Sequence, residues 1–235
     1  MLLERSIPII GAEGAERLAG ASIAVFGTGG VGSWCAEALA RAGVGSITVV
    51  DGDTVADSNR NRQLIATSET LGRRKAAVAA ERLRSAVPEC DVRFADMFYS
   101  AETAADIPLC GFDYIADCID TVTSKLLLIS NARAAGVRII SSMGTGNRRN
   151  PSRIAVKDVY STSGDPLARI MRRELRARGI TGLKVVCSEE LPGAVFSGRD
   201  PDTRRATPSS CVFVPATAGL RMAYEIVKDI LEWQD

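Results

Sequence analysis

The chain has 235 residues, 46% of them hydrophobic, with 29 basic against 28 acidic side chains and a net charge of +1. That length suits one α/β unit with a sizeable core, and the near balance of charge by itself points to no polyanionic partner. Histidine is absent, which excludes Ser-His-Asp and Cys-His catalysis and leaves Lys, Arg, Asp, Cys and backbone amides to carry any chemistry.

No apolar run reaches the 18 residues of a membrane span, so none is expected. The N-terminal "MLLERSIPIIGAEG" contains acidic residues and lacks a signal-peptide layout, so a cytoplasmic location is expected. The six cysteines, at 35, 90, 110, 118, 187 and 211, form no C-x-x-C pair. Neither a zinc ribbon nor a disulfide framework is predicted. Cys35 and Cys118 lie in helical and apolar runs and are expected in the core.

In chain order, a short apolar strand is expected over 23–27, then a helix over 31–42. "SITVV" (46–50) reads as a second strand and "RRKAAVAAERLRSA" (73–86) as a helix stopped by Pro88. Further strands are expected over 91–95, 114–119 and 137–142, with a helix over 121–135. Strand and helix alternating in this way predict a Rossmann-like, doubly wound, mostly parallel sheet. Beyond Gly144 the pattern changes. "TGNRRNPS" reads as a loop, "RIAVKDV" as a half-exposed strand, 166–178 as a basic helix and 184–187 as a strand. Residues 189–210, rich in Gly, Pro and charge, read as a loop. "CVFVPATAGLRMAYEIVKDILEW" returns to the core as a strand, with Cys211 a small residue entering it, and a long helix. The whole is expected to be one domain: a Rossmann-like core over 1–145, then an extension over 146–235 that adds antiparallel strands and the basic helix.

"GTGGVGS" supplies Gly27, Gly29, Gly30 and Gly32 between the first strand and an alanine-rich helix, the setting of a dinucleotide fingerprint. Asp51 closes the second strand, where an acid reaches a ribose, and Asp53 follows it in "VVDGDTV". These residues fit NAD or ATP equally. The next block separates the two. Asn59, Arg62 and Gln63, then Arg74 and Lys75, place amides and cations after the second strand. A hydride carrier does not need such a cluster; a triphosphate losing pyrophosphate does. Asp120 closes the fourth strand, on the ligand side of an open sheet, where a carboxylate can reach phosphates through Mg²⁺.

The set "GTGGVGS", "VVDGDTVADSNRNRQ", "GRRK" and "CIDTVTSK" resembles the ubiquitin-activating-like superfamily of adenylating enzymes. "GVRIISSMGTGNRRNPSRIAVKDVYSTSGDPLARIMRRELRARGI" and "TPSSCVFVPATAGL" are similar to the bacterial tRNA threonylcarbamoyladenosine dehydratases within it. The resemblance implies adenylation of the threonyl carboxylate of threonylcarbamoyladenosine by ATP, then ring closure with release of AMP. It implies ribose binding by Asp51, phosphate contacts by Asn59, Arg62 and Lys75, and a Mg²⁺ link through Asp120. It also implies a homodimer in which Arg5 reaches the partner's ATP. A monovalent cation near Gly144–Gly146 and sulfur-transfer accessory proteins stay open at this point. So does the alternative of an adenylating enzyme for a ubiquitin-like sulfur carrier, although the zinc pairs of its relatives are missing.

Between Arg148 and Lys184 ten basic residues stand against three acidic ones, a local +7 in a chain of +1. Arg169, Arg172, Arg173 and Arg176 share one helical face. With Arg148 and Arg149 they are the expected contacts to tRNA phosphates.

Overall fold

The structure is a computed structural model and describes residues 3–193 and 208–234. Seven strands form one sheet in the order β3-β2-β1-β4-β5-β7-β6. They are β1 (Ser22–Phe26), β2 (Ser46–Val50), β3 (Asp91–Ala95), β4 (Tyr114–Asp117), β5 (Arg138–Ser142), β6 (Ile154–Asp158) and β7 (Lys184–Ser188). All neighbouring pairs are parallel except β6 with β7. The doubly wound sheet expected from the alternating pattern is present, and its antiparallel addition lies in the C-terminal part of the chain.

Helices cover both faces, which is why the central strands are apolar on both. The helices are α1 (Ile7–Ala19), α2 (Gly32–Arg41), α3 (Lys75–Ala86), α4 (Val122–Ala134), α5 (Pro166–Ala177) and α6 (Phe213–Leu231). Ile23 and Val25 of β1 pack with Leu39 of α2, Leu83 of α3 and Met222 of α6. Their neighbours Ala24 and Phe26 face the other way, toward Leu128 and Ala132 of α4. α5 buries Met171 and Leu175 with Ile129 and Val185 in a third cluster.

Two expectations are corrected. The segment at 211–214 is not a strand: Phe213 already begins α6. Val214, Ala218 and Met222 recur at helical spacing and are fully buried. Pro215 falls in the first turn, where its missing N–H removes no intrahelical bond. Gly219 lets α6 approach α2 so closely that a Cβ there would lie 2.3 Å from the Val31 carbonyl oxygen. The N-terminal segment, in which no element was expected, forms α1, kinked at Gly11 (φ +76°). The loop expected over 189–210 lies largely outside the described residues. Among the described residues, no helix is long and apolar enough to cross a membrane.

Candidate nucleotide-binding site

The carboxyl ends of β1, β2, β4 and β5 open into a cavity of about 550 Å³. The glycine loop makes its floor. Gly27 has φ +87°, and a Cβ there would lie 2.8 Å from the Cys118 carbonyl oxygen. A Cβ on Gly32 would lie 1.8 Å from the Gly27 carbonyl oxygen. Both positions therefore require glycine, whereas Gly29 and Gly30 line the open cavity. Asp51 clamps the loop from the end of β2. One carboxylate oxygen accepts from the Thr28 amide (2.7 Å) and hydroxyl (2.9 Å), and the other accepts from the Asp53 amide at 2.9 Å. Asp51 still borders the cavity, so it holds its own loop and faces the open space at once.

The cationic side arises at the start of α3 and in the turn after β2. Lys75 is the first residue of α3; its ammonium donates to Asp53 at 2.9 Å and its side chain is 8% exposed. Arg62 lies over the glycine loop, its Cγ 3.4 Å from where a Gly30 Cβ would stand. Its guanidinium donates to the Ser58 carbonyl (2.8 Å) and to Asn61 (2.9 Å). Gln63 is buried at the cavity wall, and its Oε1 has no hydrogen-bond partner. Such a buried acceptor is costly unless a donor arrives.

Asn59 does not join this wall: it is buried, and its Oδ1 caps the local turn by accepting from the Ala56 amide at 3.1 Å. Arg74 also turns away. It donates to Asp96 (2.6 Å) and to the Gly52 carbonyl, and the Asp96 bond raises its pKa.

Asp120, Thr121 and Ser124 border the cavity where β4 runs into α4. Asp120 is exposed and Thr121 is the N-cap residue of α4, so the carboxylate is not consumed as a cap. Asp117 and Lys125 lie beneath it, both fully buried, paired at 2.8 Å and joined by Ser141. Asp117 is thus committed to the framework, whereas Asp120 accepts only from the Thr121 hydroxyl at 3.3 Å among the described residues and faces the cavity. Among the described residues no three His, Cys, Asp or Glu cluster as a metal cage. The donor set suits Mg²⁺, which is commonly held by one or two carboxylates together with substrate phosphates. Cys118 was expected in the core with Cys35. Cys35 is there; Cys118 is half-buried, packs against the same core and also borders the cavity, its thiol pKa raised well above normal by the neighbouring Cys35 thiol and by burial.

The arginines expected to meet RNA divide by their exposure. Arg149, Arg169, Arg173 and Arg176 are exposed, and Arg176 lies over the Tyr160 ring at 4.9 Å. Arg172 is half-buried and donates to Thr162. Arg148 is corrected outright. It is buried and ion-paired with Asp165 at 2.9 Å, and its Nη1 donates to the carbonyls of Gly144 (2.6 Å) and Gly146 (3.2 Å). It cannot touch RNA from there, and its guanidinium already brings positive charge to the carbonyls that a monovalent cation would use. Arg5 is exposed and does not border the cavity of its own chain.

A glycine loop at a helix N-terminus, an acid closing β2 and cations across the opening define a Rossmann-like nucleotide-binding protein with a phosphate side. The chain belongs to the ThiF family, whose model matches residues 3–235. It is 40% identical over 233 residues to the tRNA threonylcarbamoyladenosine dehydratase of Bacillus subtilis (strain 168), covering 95% of this chain and 92% of that protein. It superposes on the E. coli tRNA N6-threonylcarbamoyladenosine dehydratase TcdA in complex with AMP, with a TM-score of 0.89 and 34% identity over 97% of this chain and 93% of that one. The same enzyme in complex with ATP gives a TM-score of 0.87 at 33% identity, over the same shares of the two chains.

Proposed function

We propose that this chain is a cytoplasmic, ATP-dependent tRNA threonylcarbamoyladenosine dehydratase that closes a ring on the modified adenosine by adenylating its threonyl carboxylate. The observation that carries this reading is the pairing of Lys75 and Arg62 with the Gly29–Gly30 loop across one cavity. It occurs in a chain similar along nearly its whole length to proteins of that name.

ATP lies with its ribose toward Asp51 and its phosphates toward the glycine loop and the N-terminus of α2. The threonyl carboxylate attacks the α-phosphorus, and pyrophosphate leaves. Lys75 and Arg62 stabilise the charge that builds on the phosphate oxygens. Asp120 would hold Mg²⁺ against those phosphates, and the ion would neutralise part of their charge. The carbamoyl group of the same nucleoside then attacks the acyl carbon and gives up a proton, while AMP leaves carrying one carboxylate oxygen; the nucleoside has thereby lost the elements of water. Nucleophile and electrophile belong to one nucleoside, so proximity supplies much of the rate and no covalent enzyme intermediate is needed. Gln63 offers its unpaired Oε1 to a donor on the nucleotide.

The tRNA backbone lies along the exposed arginines Arg149, Arg169, Arg173 and Arg176. Two chains pair, so that Arg5 of each reaches the other's cavity. The deciding experiment is mass analysis of tRNA nucleosides after incubation with protein, ATP and Mg²⁺. Loss of one water from threonylcarbamoyladenosine is expected. Unchanged nucleosides, with ATP–pyrophosphate exchange appearing when a small sulfur-carrier protein is added, would move the assignment to carrier activation.

A further inference from the structure

Arg148 ties three segments together. Its side chain is 2% exposed. Nη1 donates to the carbonyls of Gly144 and Gly146, Nε to the Glu190 carbonyl at 3.0 Å, and Nη2 to Asp165. Four of the bonds open to its five N–H groups are made in one planar fork, a pattern a lysine ammonium cannot reproduce. Asp165 is fully buried on its side chain, and its other oxygen caps α5 by accepting from the Ala168 amide at 2.9 Å. The Gly144 loop packs on this pair: a Cβ there would lie 3.1 Å from Asp165 and 3.3 Å from Arg148. Gly144, Gly146 and Leu167, the second residue of α5, all border the cavity. One side chain therefore fixes the wall of the cavity beyond β5 to the start of the basic helix. None of its hydrogen bonds reaches the nucleotide side on β1, β2 and α3.

We propose that Arg148 is a positioning residue that sets the bound nucleoside of the tRNA against the adenylating end of the cavity by locking α5 to the Gly144–Gly146 loop. The inference rests on the tRNA dehydratase reading above. If RNA is held by α5 and the acyl group must meet the α-phosphate, the spacing between helix and loop sets the alignment. A misplacement of about 1 Å is enough to cost roughly 10²-fold in rate.

The test uses the full chain with two variants. Arg148→Met combined with Asp165→Asn removes both buried charges together and keeps an acceptor for the Ala168 amide. Arg148→Lys keeps the charge and loses the fork. ATP affinity, tRNA affinity and the cyclisation rate at saturating ATP and tRNA are measured for each. Hydrogen exchange is followed at 144–146, at 166–169 and at 29–32. In the double variant the saturated rate is expected to fall about 10²-fold, with ATP affinity within about twofold of wild type. In the lysine variant it is expected to fall about tenfold. Protection at 144–146 and at 166–169 should drop together while that at 29–32 holds. A saturated rate equal to wild type in either folded variant overturns the proposal, as does ATP affinity falling in step with the rate. Unchanged exchange at both segments overturns the coupling even if the wild type proves not to cyclise, an outcome that would sink the dehydratase reading separately.

Discussion

Lys75 is held ready by Asp53, with its ammonium buried and its partner half in solvent. An arriving phosphate offers that buried ammonium a second anionic partner. Lys75→Ala is expected to lower the cyclisation rate by roughly 10²–10³ while leaving the fold intact, because one charge-assisted contact to the transferring phosphate is lost. Single-turnover nucleoside analysis reads this; full activity would leave Lys75 with no role beyond its ion pair with Asp53. Cys90 gives a test free of substrate. It is buried, and burial, aided by Asp91, pushes its thiol up to about 11. Its contribution to stability is present below the free thiol's 9.0 and is lost as the pH climbs to about 11. In the native protein at pH 8, alkylation should modify the exposed Cys110 and spare Cys90. Equal modification of both would show Cys90 to be accessible. At this scale the sequence was legible where spacing dictates geometry. Gly27, Gly32 and Asp51 stand where the fingerprint predicts. It was not legible for Asn59 and Arg148, because a polar side chain near a site can turn inward to satisfy the backbone, and only the folded chain shows which way it turned.

α5 shows what an element adds to its residues. Met171 and Leu175 are buried, Leu167 is partly so, and the arginines share another side, as the helical period predicts. The fold then removes Arg172 from the free set by bonding it to Thr162. Arg169→Glu combined with Arg173→Glu is therefore the sharper reversal. It should weaken tRNA binding and flatten its salt slope by roughly one unit per lost phosphate contact, with ATP binding unchanged. Filter binding across a salt series measures this, and an unaltered slope would move the RNA to another face. The strands and crossover helices of the sheet were readable because each carries its own period. The start of α6 was not: "CVFV" is β-branched and aromatic, and its helical state is imposed by Val214 packing and by Gly219 meeting α2.

Over the whole molecule, a cluster of exposed apolar side chains offers a face for a second copy. Ile9, Leu220 and Tyr224 border a groove of about 310 Å³ between α1, α2 and α6. Ile9 is 77% exposed. Ser6 lines the same groove and Arg5 precedes it, so a second copy seated there would bring the arginine of one chain toward the other. Sedimentation at micromolar concentration should give twice the 25.0 kDa of the chain. Ile9→Glu with Leu220→Glu should give monomers of lower activity. A wild type that stays monomeric at tens of micromolar would remove both the pairing and the trans role of Arg5.

The close seating of α6 on α2 also orders events in time. The fingerprint loop and α2 are made early, yet the surface that covers α2 comes from α6, the last-made helix among the described residues. While a ribosome still holds residues 213–231, α2 has the sheet and α3 behind it but lacks the helix that covers its other side. Nucleotide binding is thus expected only once α6 has emerged, rather than when the glycine motif itself does. Nascent chains arrested with α6 inside the exit tunnel should gain no protease protection from ATP, and chains released with α6 free should gain it at once. Equal protection in both would mean that the loop and α2 hold together without their late partner.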